Sequence, residues 1–268
     1  MSSDSKREVY THGHPQAVLQ SHRWRTAENS AGYLLARLTQ GATVLDVGCG
    51  PGTITADIAR LVAPGTVVGV DSSPEVVTLA ARDHRADNLS FRTGDVYGLD
   101  EPDDSFGIVH AHQLLQHLAD PVRALVEMRR VCRQGGTVAV RDADYAAMTW
   151  WPEDAGLQRW LDIYRAVARV NGGEPDAGRR LLAWAHAAGF SDTTASASTW
   201  CFATRQDRTW WARTWAQRIT DSPLAQRAVE LGIATAADLA GCAGAFGRWS
   251  VHPDAYFVTV HGEVLATA

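Results

Sequence analysis

The run Thr43 to Thr53, read Thr-Val-Leu-Asp-Val-Gly-Cys-Gly-Pro-Gly-Thr, constrains this chain more than any other stretch. Its apolar start, Val44 to Val47, predicts a buried strand. The glycines at 48, 50 and 52 predict a turn into a helix beginning near Ile54. Glycine has no Cβ, so such a turn lets backbone approach a bound molecule closely. A second apolar run, Val67 to Val70, ends on Asp71 with Ser72 beside it. An acid about 20 positions beyond a glycine turn accepts hydrogen bonds from the ribose diol in nucleotide-binding βαβ units.

The spacing selects among nucleotides. A dinucleotide fingerprint reads Gly-x-Gly-x-x-Gly or Ala, the last small residue permitting helix–strand packing. Here Asp46, Gly48, Gly50 and Gly52 alternate, and Thr53 holds the last fingerprint position. Asp46 is poorly placed beside a pyrophosphate and suited to a cationic ligand. S-adenosylmethionine carries a sulfonium, an ammonium and a ribose diol, and no phosphate.

Further units follow in order. Gly94-Asp95-Val96 closes a third strand, and Phe106 to His112 reads as a fourth, followed by Leu114 to Leu118. Asp120-Pro121 opens a helix running to Val131. Gly135-Gly136 then precedes a strand over Thr137–Arg141. Over roughly residues 30–145 this series resembles the class I S-adenosylmethionine-dependent methyltransferases, above all the branch of ubiquinone/menaquinone-biosynthesis methyltransferases. The resemblance implies S-adenosylmethionine as cofactor. It implies cofactor contacts from Asp46, Gly48, Gly50, Gly52, Thr53, Asp71 and Ser72. It sets Gly94, Asp95 and Val96 against the adenine, and His112 by the methionine moiety. It also implies an N-terminal arm closing over the cofactor, with Arg23 reaching its carboxylate.

The implied fold is α/β: a Rossmann-like doubly wound sheet of about seven strands, mostly parallel, with helical lid insertions. Right-handed crossovers put ligand loops at the carboxyl ends of the strands, where Asp46–Gly52, Asp71, Asp95 and His112 all fall. Three regions are expected: an arm over 1–29, a cofactor-binding core over 30–150, and the rest of the sheet over 151–268. Inserted lid helices occupy 153–172 and 207–247 of the last region. Glu28 to Leu38 has helical spacing, with Tyr33, Leu34 and Leu38 on its apolar side. Trp150-Trp151-Pro152 breaks the chain after the fifth strand. Helices are expected over Leu157–Val170 and Arg179–Ala188, and strands over Thr193–Phe202 and Ala255–Val264.

Composition narrows the partners. The net charge is −5 and no long basic run is present, which disfavours nucleic acid. Arg129, Arg130 and Arg133 read as a solvated helix end. The four cysteines are scattered without a Cys-x-x-Cys, so neither a zinc site nor a disulfide framework is expected. Met1 to Glu8 is polar without an apolar signal core, and no apolar stretch approaches the roughly 20 residues of a membrane span. A cytoplasmic protein with a small-molecule acceptor is expected, off the membrane, and a homodimer fits.

Several residues invite a closer reading. Tyr10, His12, His14, Arg23 and Trp24 crowd the arm, where a polar tail is the plain alternative. His110 and His112 share one face of a strand, but lack an acid or cysteine at metal-ligand spacing, so no metal is expected. His117 fits a packing group at a helix start or an active-site group. His112, His117 and Tyr10 are the candidate proton acceptors. Trp184 and Trp200 read as core. Trp150, Trp151, Trp160, Trp210, Trp211, Trp215 and Trp249 fall in or beside the lid and imply a flat apolar pocket.

The expected reaction is methyl transfer to a small aromatic natural product. The narrowest form is C-methylation at indole C3 of a tryptophan-derived cyclodipeptide, with pyrroloindoline closure. Quinone-precursor C-methylation and polyketide O-methylation are alternatives. A nicotinamide-dependent oxidoreductase or a non-catalytic cofactor-binding protein would use the same sheet.

Overall fold

The computed structural model describes residues 24–268. Its elements are α1 (Ala27–Ser30), a 3-10 helix (Gly32–Arg37), β1 (Val44–Val47), α2 (Thr53–Val62), β2 (Val67–Asp71), α3 (Pro74–Asp83), β3 (Leu89–Thr93) and β4 (Phe106–His112). A short 3-10 turn (Leu115–His117), α4 (Pro121–Val131), β5 (Cys132–Trp151) and α5 (Ala155–Val170) follow. The chain then forms a 3-10 turn (Ala177–Arg180), α6 (Leu181–Ala187), β6 (Thr193–Phe202), α7 (Arg205–Thr220), α8 (Pro223–Glu230), α9 (Ala236–Val251) and β7 (Tyr256–Thr267).

The seven strands lie in the order β3-β2-β1-β4-β5-β7-β6. β3 to β5 are parallel, and β7 runs antiparallel to both β5 and β6. The order reverses direction between β1 and β4, so a crevice opens at their carboxyl ends, where open α/β sheets bind ligands.

Side chains alternate across each strand, and three apolar cores result. One face of the parallel strands (Leu45, Val47, Val109, Val140) packs with α4 and α6. The other face (Val44, Ile108, Ala139) packs with α1, the first 3-10 helix and α2. Further along that second face, β5 and β7 present Ala143, Tyr145 and Phe257 to α5, α7, α8 and α9. This third core holds Trp160, Trp215 and Trp249, all fully buried.

Several boundaries differ from the sequence expectation. The helix expected over 28–38 is two pieces, because Ala31 leaves helical geometry (φ −132°, ψ 23°) and Gly32 follows it. Leu34 and Leu38 are buried as expected. The expected 207–247 segment is three helices. Ser222 caps α8 by accepting from Ala225 N at 3.4 Å, and Thr235 with Asp238 forms a capping box on α9. β5 is far longer than Thr137–Arg141, since β7 pairs along it from Thr137 to Trp151 with a register shift between Asp144 and Thr149. Trp150 and Trp151 therefore end the strand, opposite Phe257 and Tyr256.

Candidate active site

The glycine loop sits at the carboxyl end of β1. Gly48, Gly50 and Gly52 all have positive φ (72°, 54° and 80°), which side chains rarely adopt. A Cβ on Gly48 would lie 2.9 Å from Leu114, and one on Gly52 would lie 2.7 Å from Phe91. These two glycines thus let the loop pack against its own protein. The loop amides are already committed: Gly48 N and Cys49 N donate to Val70 O at 2.7 and 3.0 Å. Gly50 N donates to the Asp71 carboxylate at 3.0 Å. Amides spent in this way offer no nest for a phosphate, and the carboxylate beside them repels one.

Asp71 also accepts from Ser73 N at 3.0 Å, which fixes it at the entry to α3. Asp95 follows β3, is exposed, and accepts from Tyr97 N at 2.9 Å. Acid acceptors with spare lone pairs and no phosphate nest fit the ribose and amine groups of S-adenosylmethionine. Ser72 is exposed and Thr53 half-buried beside this loop, and Gly94 and Val96 flank Asp95. Gly94 is itself tightly packed, since a Cβ there would lie 2.7 Å from Val70.

Asp46 is turned inward. Its two oxygens accept from Thr55 Oγ1 at 2.6 Å and meet His110 Nδ1 at 2.7 Å. The pair is buried, with His110 fully so. His110, which shares the Asp46 face, is therefore a partner of the loop.

A row of polar side chains crosses the sheet next to this loop. His112 on β4 pairs in register with Arg141 on β5, Arg141 with Glu263 on β7, and Glu263 with Ser196 on β6. The Arg141 guanidinium reaches Glu263 at 3.2 Å, Ser198 at 3.0 Å and His112 Nδ1 at 3.5 Å. Glu263 in turn accepts from Ser196 and Ser198. Burial lowers the Arg141 pKa to about 10, with Glu263 opposing, so it stays a cation at neutral pH. Burial, then the Arg141 charge, pushes His112 well below its ordinary range. His261 is lowered in the same way, and burial takes His117 down to about 3. All three rings are neutral at physiological pH. Among the described residues, His112 Nε2 and His261 Nδ1 are buried without a hydrogen-bond partner.

Beyond this row lies a cavity of about 390 Å³, part of it open to solvent. Five tryptophans line it: Trp24, Trp200, Trp210, Trp211 and Trp215. Tyr145, Met148, Arg25, Arg218, Gln113 and Thr259 complete most of the wall. Gln113 joins its sides. Its carbonyl accepts from Arg25 at 2.6 Å, and its amide nitrogen lies 2.9 Å from His261 Nε2. Its backbone is left-handed (φ 51°), an uncommon state for this residue type.

The structure thus brings Asp46, Gly48, Gly50, Gly52, Asp71 and His112 to one end of the sheet. His117 is half-buried on the turn after β4, 3.0 Å from the Gln116 amide nitrogen. Tyr10, His12, His14 and Arg23 lie outside the described residues. Trp200 is buried in the core as expected and also forms cavity wall, Trp160 and Trp249 are core, and Trp151 is exposed. Gln113, Arg141, Arg218, Thr259, His261 and Glu263 were not singled out in the sequence. The Glu263 position carried a signal, an acid next to the apolar run Val264 to Ala266.

A family model described as a methyltransferase domain matches residues 38–207, more than half of the chain. An uncharacterized methyltransferase of Schizosaccharomyces pombe is 38% identical over 235 residues, covering 83% of this chain and 84% of its own. A probable methyltransferase of Aspergillus luteorubrus is 30% identical over 288 residues, covering 99% of each. In fold, the chain matches the YcgJ protein of Bacillus subtilis at a TM-score of 0.55 and 21% identity, covering 88% of this chain and 97% of that one. A glycine loop with its amides turned onto β2, acids at the ends of β2 and β3, and a matching domain over most of the parallel sheet together place this chain among the class I S-adenosylmethionine-dependent methyltransferases.

Proposed function

We propose that the chain transfers a methyl group to a small, flat, aromatic acceptor bound in the tryptophan-lined cavity. The observation that carries this reading is the cavity wall itself. Trp24 meets Trp200 edge-on at 5.1 Å and Trp210 at 5.4 Å, and Trp211 stacks on Phe202 at 4.2 Å. Rings so arranged offer both faces and edges to a planar ligand.

S-adenosylmethionine supplies a methyl carbon already bonded to a good leaving group. The work left to the protein is alignment and exclusion of water. Asp71 would hold the ribose diol and Asp95 the adenine. His112, neutral and buried at the end of β4, presents Nε2 between the cofactor loop and the cavity as an orienting group. A base held near 3 takes up a proton poorly at neutral pH, so His117 also serves better as a hydrogen-bonding group. Asp142, raised to about 7 by burial, points to the opposite face of β5 from Arg141 and away from the cavity. Tyr10 remains the proposed proton acceptor for an acceptor that must lose a proton.

Isotope-labelled S-adenosylmethionine, incubated with indoles, tryptophan cyclodipeptides, quinone precursors and phenolic polyketides, tests the reading by mass spectrometry. Label in a flat aromatic product supports it. Label in none of them removes it. Indole C3 methylation of a cyclodipeptide is the narrowest form of the proposal and has its own arm in the panel.

A further inference from the structure

We propose that the flat acceptor carries a carbonyl oxygen, and that Thr259 and Trp211 read it. This deepens the aromatic-acceptor reading and rests on it. Both residues line the cavity. Both are buried, Thr259 at 2% and Trp211 at 6% exposure. Among the described residues, neither the Thr259 hydroxyl nor the Trp211 indole nitrogen has a hydrogen-bond partner. Buried polar atoms are ordinarily satisfied, so two orphans in the wall of one cavity point to a group that a ligand brings.

The fold puts the two donors on one wall. Thr259 lies opposite Trp200 in the β6–β7 register, and Phe257 lies opposite Phe202. Residues two apart on a strand share a face, so the Thr259 side chain stands on the face that carries these rings. Trp211 of α7 stacks on Phe202 with ring centres 4.2 Å apart, and lies 5.5 Å from Phe257. It therefore covers the strand position next to Thr259 on this face. Other polar groups of the wall are engaged. Trp200 Nε1 donates to Asn29 O at 2.7 Å, and Gln113 is held between Arg25 and His261. Tyr145 is hydrogen-bonded to Tyr164, and both Arg25 and Arg218 have partners. An indole N–H only donates, and a threonine hydroxyl donates or accepts. Two donors call for an oxygen with two lone pairs in the plane of the ring system, which a carbonyl supplies and an N–H group does not. The inference favours carbonyl-bearing aromatics over bare indoles.

The test is calorimetry on the full chain saturated with S-adenosylhomocysteine. The probes are indole-3-carboxaldehyde against 3-ethylindole, and chromone against 4H-chromene. Each pair keeps its fused-ring skeleton and differs in the carbonyl oxygen. At least one carbonyl probe is expected to bind on the order of tenfold more tightly than its partner.

Thr259→Val, nearly isosteric, should cut the preference several-fold and leave the carbonyl-free probes and S-adenosylhomocysteine bound as before. It should also leave the urea midpoint of the ligand-free chain no lower, because the hydroxyl it removes has no partner there. A lowered midpoint overturns the proposal, since the hydroxyl would then serve the fold. Thr259→Ser keeps the hydroxyl and should keep the preference. Trp211→Phe keeps a ring, loses the N–H and should cut the preference again; the Thr259 variants decide if it does not fold. Equal binding within both pairs overturns the proposal and leaves the aromatic-acceptor reading standing. A preference that survives Thr259→Val overturns the part given to Thr259, and one that survives Trp211→Phe overturns the part given to Trp211. Failure of all four probes to bind removes both readings.

Discussion

Arg25 donates a 2.6 Å hydrogen bond to the side chain of Gln113, tying the segment before α1 to the end of β4. The same Gln113 amide faces His261 on β7, so one side chain in a left-handed backbone conformation joins three separate parts of the chain. Gln113→Ala removes both links and leaves the Arg25 charge less fixed. Hydrogen bonds to charged groups contribute about 1.5–3 kcal/mol. The expected outcome is a several-fold rise in acceptor KM with a native circular dichroism spectrum. An unchanged KM would show that Gln113 only shapes the backbone.

Asp71→Ala should weaken S-adenosylhomocysteine binding by about 1–3 kcal/mol, measured by calorimetry. It also frees Gly50 N and Ser73 N, so loop order suffers along with the ribose contact. Asp71→Asn keeps one acceptor oxygen and should lose less. Equal affinities for all three proteins would take Asp71 out of the cofactor site.

His110 and Asp46 form a buried pair under the glycine loop. His110→Phe leaves a buried carboxylate with one partner fewer, a loss of about 1.5–3 kcal/mol in urea unfolding. Thr55→Val should cost less, because a neutral donor is removed and the histidine stays. A His110→Phe protein as stable as the parent would show that the His110–Asp46 hydrogen bond adds nothing to stability.

Acid should destabilise the protein before ordinary carboxylates titrate. His112, His117 and His261 are held neutral by burial, well below the usual histidine range. Below about pH 6.5 the unfolded chain binds their protons and the folded chain does not, so stability falls as pH falls. Each contributes up to about 1.4 kcal/mol per pH unit. Asp142 works in the opposite sense. Its folded pKa of about 7 relieves a burial cost as it protonates. Three histidines against one acid leave a net loss of about 3 kcal/mol between pH 6.5 and 5. Urea midpoints at those pH values check the slope, and Asp142→Asn should steepen it.

Much of the cofactor end was legible in the sequence because it is local. The alternation of apolar runs and turns set β1, β2 and β4, and Asp120-Pro121 marked α4 at its observed start. β6 fell on Thr193–Phe202 for the same reason. The polar row was not legible, since Arg141 and Glu263 are 122 residues apart and meet only through strand register. The tryptophan-lined cavity was half legible. Tryptophan enrichment pointed to the lid, but which rings form wall and which form core depends on how α5, α7 and α9 cross. Trp160 and Trp211 look alike in sequence and differ in that packing.

β5 continues without a break from the cofactor end into the ribbon that carries the lid, and the lid has a core of its own. The half of the molecule that carries the tryptophan-lined cavity is therefore built on the ends of β5, β6 and β7. Changes among the tryptophans of α5, α7 and α9 should therefore leave the Asp46–His110 pair in place. A chimera that grafts residues 145–257 from a relative should change which molecule receives the methyl group and keep the cofactor.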